Sequence, residues 1–237
     1  MNRGFDLTGQ KVIVTGAAGD IAAAAVQALA RQGAKLVLTD IVETPPYDLP
    51  EGAVWYPCDV ANRDDVARLA ATHPDASTLL LAAGILPFDD WEGDDWDASF
   101  HKVMDVNVLG VLNMARAFVP VMGQAGSGRI VVVGSASGRM GGVVAGPHYV
   151  ASKGAVHALV RWLALRAAPK GITVNGIAPG SVRSAMLQGQ PFSPDKVPMG
   201  RLAEPEEIGW PIAFLCSEAA TYMCGSVIDV NGGLTFS

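Results

Sequence analysis

The chain has 237 residues, of which 50% are hydrophobic and 17% charged, with a formal charge of −6. A chain of this length and apolar content buries a large core without a disulfide or metal staple, which excludes a disordered protein. The 17 Lys and Arg are scattered, so no basic patch points to nucleic acid or to an anionic membrane surface.

Short β-rich runs alternate with helical stretches. Residues 11–15 (KVIVT) read as a buried strand, and 20–32 as an Ala-rich helix closed by Gly33. Strands follow at 35–39 and 53–57, then a short helix over 63–72 and a fourth strand at 78–82. A long helical pattern covers 97–122, before a fifth strand at 129–133 and a helix over 149–168. A strand at 172–175, a helix over 204–216 and a last strand at 226–230 complete the series. Strands alternating with helices predict right-handed βαβ units, that is, an α/β fold with a doubly wound parallel sheet of seven strands. Continuous apolar strands such as LLL and VVV fit a sheet covered by helices on both faces. No linker divides residues 1–237, so a single domain is expected. Residues 42–52 are a proline-rich loop. Residues 180–200 follow a strand end, where ligands bind in such sheets, and are a candidate substrate loop.

Cys58, Cys216 and Cys224 form no CxxC and are odd in number, which fits inert thiols in a reducing compartment. The first ten residues lack the apolar core of a signal peptide, and no apolar run approaches the ~18 residues that span a bilayer. The expectation is a cytoplasmic protein with no membrane partner. No histidines pair at metal-ligand spacing, and the acidic run 89–97 reads as a solvated helix start with Asp caps. No metal site is expected.

Residues 15–22 (TGAAGDIA) join the first strand to the first helix. Gly16, Ala18 and their small neighbours let the backbone approach a pyrophosphate at a helix N-terminus, although the same composition also makes a plain tight turn. The second strand ends in Asp40, 24 residues after Gly16, near the offset of an acid that binds the adenosine ribose diol. A carboxylate there favours NAD over NADP, and no Arg or Lys stands in the turn or just after Asp40. Tyr149 and Lys153 lie at i, i+4, on one helix face. An ammonium beside a phenol stabilises the phenolate, which would make Tyr149 a usable acid/base.

With Tyr149-Val150-Ala151-Ser152-Lys153 placed after the fifth strand, the chain resembles the short-chain dehydrogenase/reductase family. The resemblance runs from about Leu7 to Thr235. Residues 15–22 are similar to that family's TGxxxGxG turn, Cys58-Asp59-Val60 to its adenine-contacting segment, and Leu81-Ala82-Ala83-Gly84 to its NNAG. Asp105-Val106-Asn107 with Gly110 resembles the segment that carries a catalytic Asn, and residues 134–138 (GSASG) the segment of the catalytic Ser. Residues 175–180 (NGIAPG) with Val182 resemble NxxxPG, and RLAEPEEI and DVNGG resemble its C-terminal signatures.

The resemblance implies that Tyr149 passes a proton to or from the substrate oxygen. Lys153 would lower the Tyr149 pKa and bond the nicotinamide ribose. Ser135 would hold the substrate oxygen, and Asn107 a water linked to Lys153. Ser137 is the alternative serine, because Ser135 precedes Tyr149 by 14 positions and Ser137 by 12, against the family's usual 13. The pattern Ser135-x-x-Gly138 favours Ser135. By the same resemblance NAD would lie against Gly16, Ala18, Asp20, Ile21, Asp40, Ile41, Asp59, Val60, Ala83, Gly84, Tyr149, Lys153, Pro179, Gly180, Val182 and Ser184.

Two departures stand out. Asp20 replaces a glycine of the turn, where it is expected to cap the helix with its side chain turned from the pyrophosphate. Leu81 and Ala82 replace both asparagines of NNAG, which would cost local order. Met140, Met186, Leu187 and Phe192 are candidates for an apolar substrate wall, and His148 for a neighbour of the cleft. His73, His101 and His157 read as surface or helix-packing residues. Arg139 and Arg183 keep a carboxylate or phosphate substrate open. The expected activity is NAD-dependent interconversion of a secondary alcohol and a ketone. The alternatives are a 3-oxoacyl thioester reductase and a non-catalytic NAD-binding protein. The family's habit implies a homo-oligomer, a tetramer in preference to a dimer.

Overall fold

A computed structural model describes residues 3–142, 144–190 and 194–237. The apolar runs form β1 (Lys11–Thr15), β2 (Lys35–Asp40), β3 (Val54–Pro57), β4 (Thr78–Leu81), β5 (Gly128–Val133), β6 (Ile172–Pro179) and β7 (Val227–Val230). They make one parallel sheet in the order β3-β2-β1-β4-β5-β6-β7. The helices are α1 (Asp20–Arg31), α2 (Arg63–Thr72), α3 (Trp96–Met104), α4 (Gly110–Ala125), α5 (Ser137–Met140), α6 (Pro147–Ala167) and α7 (Pro205–Cys216).

Successive strand residues point to opposite faces, and both faces are covered. Ile13, Leu79 and Val132 join a core with Met114 and Phe118 of α4 and Val160 of α6. Val12, Val14 and Val131 join a second core with Leu29 of α1 and Ile208 and Ile212 of α7. That double burial is why the strands read as unbroken apolar runs. Strand order reverses between β1 and β4, so the crossovers on the two sides diverge there and open a crevice at the carboxyl ends of the strands.

Three elements differ from expectation. The helix expected over 97–122 is α3, a π turn over Asp105–Leu109, and α4. The 3.6-residue period of apolar residues does not reveal one inserted residue in the ladder. β6 runs four residues beyond the expected 172–175, because its end pairs with β5 as far as Ile177 and with β7 as far as Pro179. Helix α6 starts two residues early, with Pro147 in the first turn, where a missing N–H costs nothing. The continuous helical run Trp96–Ala125 has a window of mean hydropathy 1.4. By length and composition it could cross a membrane, although 44% of that window is buried in the fold. Val103, Asn107, Val111, Met114 and Phe118 of the run are all buried.

Candidate active site

The crevice is a cleft of about 570 Å³. Its floor begins at the end of β1. Gly16 has φ +66°, and a Cβ there would lie 2.6 Å from the Ala83 Cα. A side chain at position 16 would therefore collide with the backbone just past the end of β4, and glycine alone permits the turn. The turn delivers the free N–H groups and positive end of α1 to the cleft. Asp40 ends β2, accepts the Ala18 N–H at 3.0 Å and lines the same cleft. Ile41 beside it is an exposed rim residue. Every residue expected to bind NAD lines this cleft. A dinucleotide therefore fits the residues present: a side-chain-free cradle, a helix N-terminus, and a carboxylate one strand away.

Asp20 is not the cap of α1. That place falls to Gly19, which has no side-chain cap bond. The Asp20 carboxylate instead accepts the backbone N–H of Ala185, 165 residues on, at 2.7 Å. It thus ties the glycine turn to the loop after β6. Helix propensity at a helix start made the cap the local expectation, and the long-range partner was invisible to it. The loop is fastened at its roots too, where Val182 bridges Ala203 and Arg183 N–H bonds the Ala203 carbonyl.

The loss of both NNAG amides is offset by side chains from neighbouring elements. Thr15 Oγ1 accepts the N–H groups of Ala82 and Ala83 at 3.1 and 3.2 Å. Two residues on, Asn107 Oδ1 accepts the Ile85 N–H at 2.8 Å, and its Nδ2 donates to the Ile85 carbonyl. Asn113, which sequence reasoning missed, is buried and donates to the Val60 carbonyl at 3.0 Å. It holds the Asp59–Val60 segment against the cleft. A buried Asn inside an apolar helix was the available signal.

Tyr149, Lys153 and Ser135 meet at one wall, each at most 9% exposed. Ser135 stands beside Tyr149, where its hydroxyl pulls the proton affinity of the phenol down, and Ser135 Oγ accepts the Ser137 N–H at 3.1 Å. The geometry thus puts Ser135 rather than Ser137 beside Tyr149. Burial pushes Tyr149 up to about 12, against the opposing pull of Ser135. Burial also pushes Lys153 down to about 8. The expected lowering of Tyr149 by Lys153 does not prevail. Lys153 Nζ lies 5.5 Å from the phenol ring centroid and donates to the Val133 carbonyl at 3.0 Å. Desolvation of the phenolate is the larger effect. Tyr149 rests as the phenol.

Asn107 sits on the π turn, 1% exposed, and does not line the cleft. Its Nδ2 also donates to Ser152 Oγ at 3.0 Å, one position before Lys153. Gly84 lies between the two: a Cβ there would be 3.3 Å from Asn107 Oδ1 and 3.4 Å from Lys153 Nζ.

Met140, Met186 and Leu187 line the cleft as expected, joined by Leu86, Val144 and Leu234, which the sequence did not suggest. Leu234 comes from beyond β7, so only the return of the chain to the cleft reveals it. Phe192 lies outside the described residues. His148 is fully buried and lines no part of the cleft, which corrects its assignment to the substrate. His157 is not a surface residue either. It is 4% exposed and its Nε2 accepts the Ser135 N–H at 3.4 Å. Burial, then Arg139, Lys153 and Arg161, push it down to about 4.

Arg139 and Arg183 are both engaged outside the cleft. Arg139 pairs with Asp229 at 2.5 Å and donates to the Val227 carbonyl, and Arg183 pairs with Glu204 at 2.9 Å. Among the described residues no group of His, Cys, Asp or Glu could hold a metal ion. Cys58 and Cys216 are buried thiols, pushed up by burial to about 11 and 12, and Cys224 is an exposed one.

Residues 16–235 match the family model described as Enoyl-(Acyl carrier protein) reductase. The chain is 37% identical to a galactitol 2-dehydrogenase (L-tagatose-forming) of Cereibacter sphaeroides, over 98% of this chain and 97% of that protein. It superposes with TM-score 0.90 on a gluconate 5-dehydrogenase from Burkholderia cenocepacia, solved with NADP and tartrate. That identity is 28%, covering 98% of this chain and 97% of the other. With TM-score 0.88 and 28% identity it also matches a 3-oxoacyl-[acyl-carrier protein] reductase with bound NAD from Brucella melitensis, over 99% and 94% of the two chains.

Proposed function

The chain belongs to the short-chain dehydrogenase/reductase family and is an oxidoreductase, and we propose that it uses NAD to interconvert an uncharged secondary alcohol and its ketone. The observation that carries this reading is the meeting of Tyr149, Ser135 and Lys153 on the wall of a cleft whose far reach ends at Asp40. The whole chain would work as one dinucleotide-binding and catalytic unit, with the loop over about 180–200 covering the substrate.

NAD supplies hydride exchange with the substrate carbon. The chain's own residues do the rest. Gly16, Ala18 and the start of α1 receive the pyrophosphate on backbone N–H groups, with Ile21 packed beside them. Asp40 receives the ribose diol. Asp59 and Val60 would hold the adenine, and Ala83 and Gly84, which line the same cleft, would hold the ribose. Pro179, Gly180, Val182 and Ser184 border the nicotinamide end. Ser135 donates a hydrogen bond to the substrate oxygen, and Tyr149 delivers its proton to that oxygen or removes it. Lys153 binds the nicotinamide ribose and relays protons. Asn107 holds the loop through Ile85 and Ser152 so that Gly84 keeps the space beside Lys153 clear.

Four features support the finer choices. A carboxylate at the end of β2, with no cation from the glycine turn or that strand end in the cleft lining, favours NAD by repelling a 2′-phosphate. The wall of Met140, Val144, Met186 and Leu187, together with the engagement of Arg139 and Arg183 elsewhere, favours an apolar, uncharged substrate. Exposed Leu109, Trp162 and Leu165 on the helical layer of α4 and α6 favour burial of that face in a homo-oligomer, a tetramer before a dimer. Buried thiols fit the cytoplasm.

The test is a panel of secondary alcohols and their ketones, with a polyol and a 3-oxoacyl thioester, run with NAD and with NADP. Turnover of an apolar alcohol with NAD at least about tenfold above NADP is expected for a carboxylate facing the 2′ position. Preference for NADP would overturn the cofactor assignment. Preference for the thioester would favour the second reading, which the same apolar wall accommodates. Sedimentation equilibrium gives the oligomeric state.

A further inference from the structure

The sequence singled out His148 because it adjoins Tyr149, yet no step above uses it. Its surroundings are specific. Helix α6 opens with Gly146 at the cap position, which offers no side chain. The third helical residue of α6 is Tyr149, and its N–H would ordinarily take a cap. Instead the N–H donates to His148 Nδ1 at 2.9 Å. That imidazole is fully buried and lies against the Trp96 ring with centroids 5.4 Å apart. Gly146 makes the room, because a Cβ there would be 2.7 Å from His148 Cε1. The other nitrogen, Nε2, lies 3.1 Å from Asp89 Oδ1, in an off-line geometry, and has no other partner among the described residues. Asp89 is itself bonded to Ser99 of α3.

We propose that His148 is a positioning residue for Tyr149: it replaces the missing helix cap, and Asp89 holds the proton on Nε2 so that Nδ1 stays free to accept the Tyr149 N–H. The proposal rests on the reading of Tyr149 as the acid/base. Asp89 belongs to the loop leaving β4, whose other end carries Gly84 into the cleft and Ile85 onto Asn107. The loop beside the nicotinamide ribose and the backbone of Tyr149 are therefore joined through one imidazole. A phenol must stay within hydrogen-bond reach of the substrate oxygen, and a displacement of about 1 Å costs rate steeply while leaving cofactor affinity intact.

The experiment compares His148→Leu, His148→Gln, His148→Asn and Tyr149→Phe in full-length protein. It measures kcat, KM, NAD dissociation constant and melting temperature. An Asn side chain places its oxygen where Nδ1 stands and restores the acceptor, whereas Gln keeps the bulk but reaches toward Asp89. His148→Leu and His148→Gln are expected to lose about tenfold or more in kcat, with NAD affinity within about twofold of wild type. His148→Asn is expected to recover most of that loss. Wild-type kcat in His148→Gln, or an Asn variant as slow as Gln, overturns the proposal while a dead Tyr149→Phe leaves the acid/base assignment standing. Should His148→Leu fail to fold, the Gln and Asn pair decides the matter alone. If Tyr149→Phe turns over normally, the reading of Tyr149 itself fails.

Discussion

The two ends of the cleft are built differently. At the adenosine end, recognition rests on backbone and on partly exposed side chains: the bare Gly16, the start of α1, Asp40, and Ile41 at 68% exposure. At the catalytic end, Ser135, Tyr149 and Lys153 are buried, and proton affinities are displaced: Tyr149 up, Lys153 and His157 down. Water screens the first region and is excluded from the second. Electrostatic contacts are therefore weak and replaceable where the cofactor's adenosine would lie, and strong where the proton moves.

Mutations should follow that gradient. Tyr149→Phe should lower kcat by about 10²- to 10⁴-fold with little change in NAD affinity. A comparable loss from a rim substitution such as Ile41→Ala would break the contrast. Ser135→Ala should cost on the order of 10²-fold, the scale of one donor aimed at the reacting oxygen, and Ser137→Ala only a few-fold. For alcohol oxidation, kcat/KM should climb between pH 6 and 9. The phenolate is the base, and burial makes it the minority form at neutrality.

His157 gives a stability test. The unfolded chain protonates this ring near 6.5 and the folded chain only near 4. Between those values the unfolded state holds more protons, so stability is full above pH 6.5 and falls as the pH drops toward 4. The loss reaches about 3 kcal/mol at most, at about 1.4 kcal/mol per pH unit. Urea unfolding across pH 7 to 4 should show a shallower slope in His157→Gln. An unchanged slope would mean that the ring is not insulated. The smallest effect belongs to the exposed end. Asp20→Gly should leave NAD affinity within about fivefold of wild type or tighten it, the range of an exposed contact. It should also speed proteolysis of the loop after β6, because the bond to Ala185 N–H is lost. A large loss of affinity would show that Asp20 holds the cofactor.

The strands, their parallel pairing and the position of Tyr149 and Lys153 were legible because each depends on local spacing: doubly buried strands read as apolar runs, and i, i+4 fixes a helix face. Asp40 was legible as the last residue of a strand. Other features were not. The π turn under Asn107 inserts one residue without disturbing the apolar pattern. The serine ambiguity came from counting along a loop, whereas the approach of Ser135 to Tyr149 depends on where the turn after β5 and helix α6 place the two side chains. Asp20 was read as a local helix cap and His157 as an isolated histidine, and their partners proved to be the distant Ala185 and Ser135; His148 reaches Asp89 as well as its neighbour Tyr149.

The sequence by itself thus determined the sheet, the cofactor turn and the Tyr149–Lys153 pair, since backbone periodicity and residue chemistry act over a few positions. Only the tertiary structure decided which buried groups have displaced proton affinities, which serine stands beside the phenol and where the Tyr149 N–H bonds. Burial and hydrogen bonding between residues tens of positions apart set those outcomes, and no local pattern encodes the distance between them.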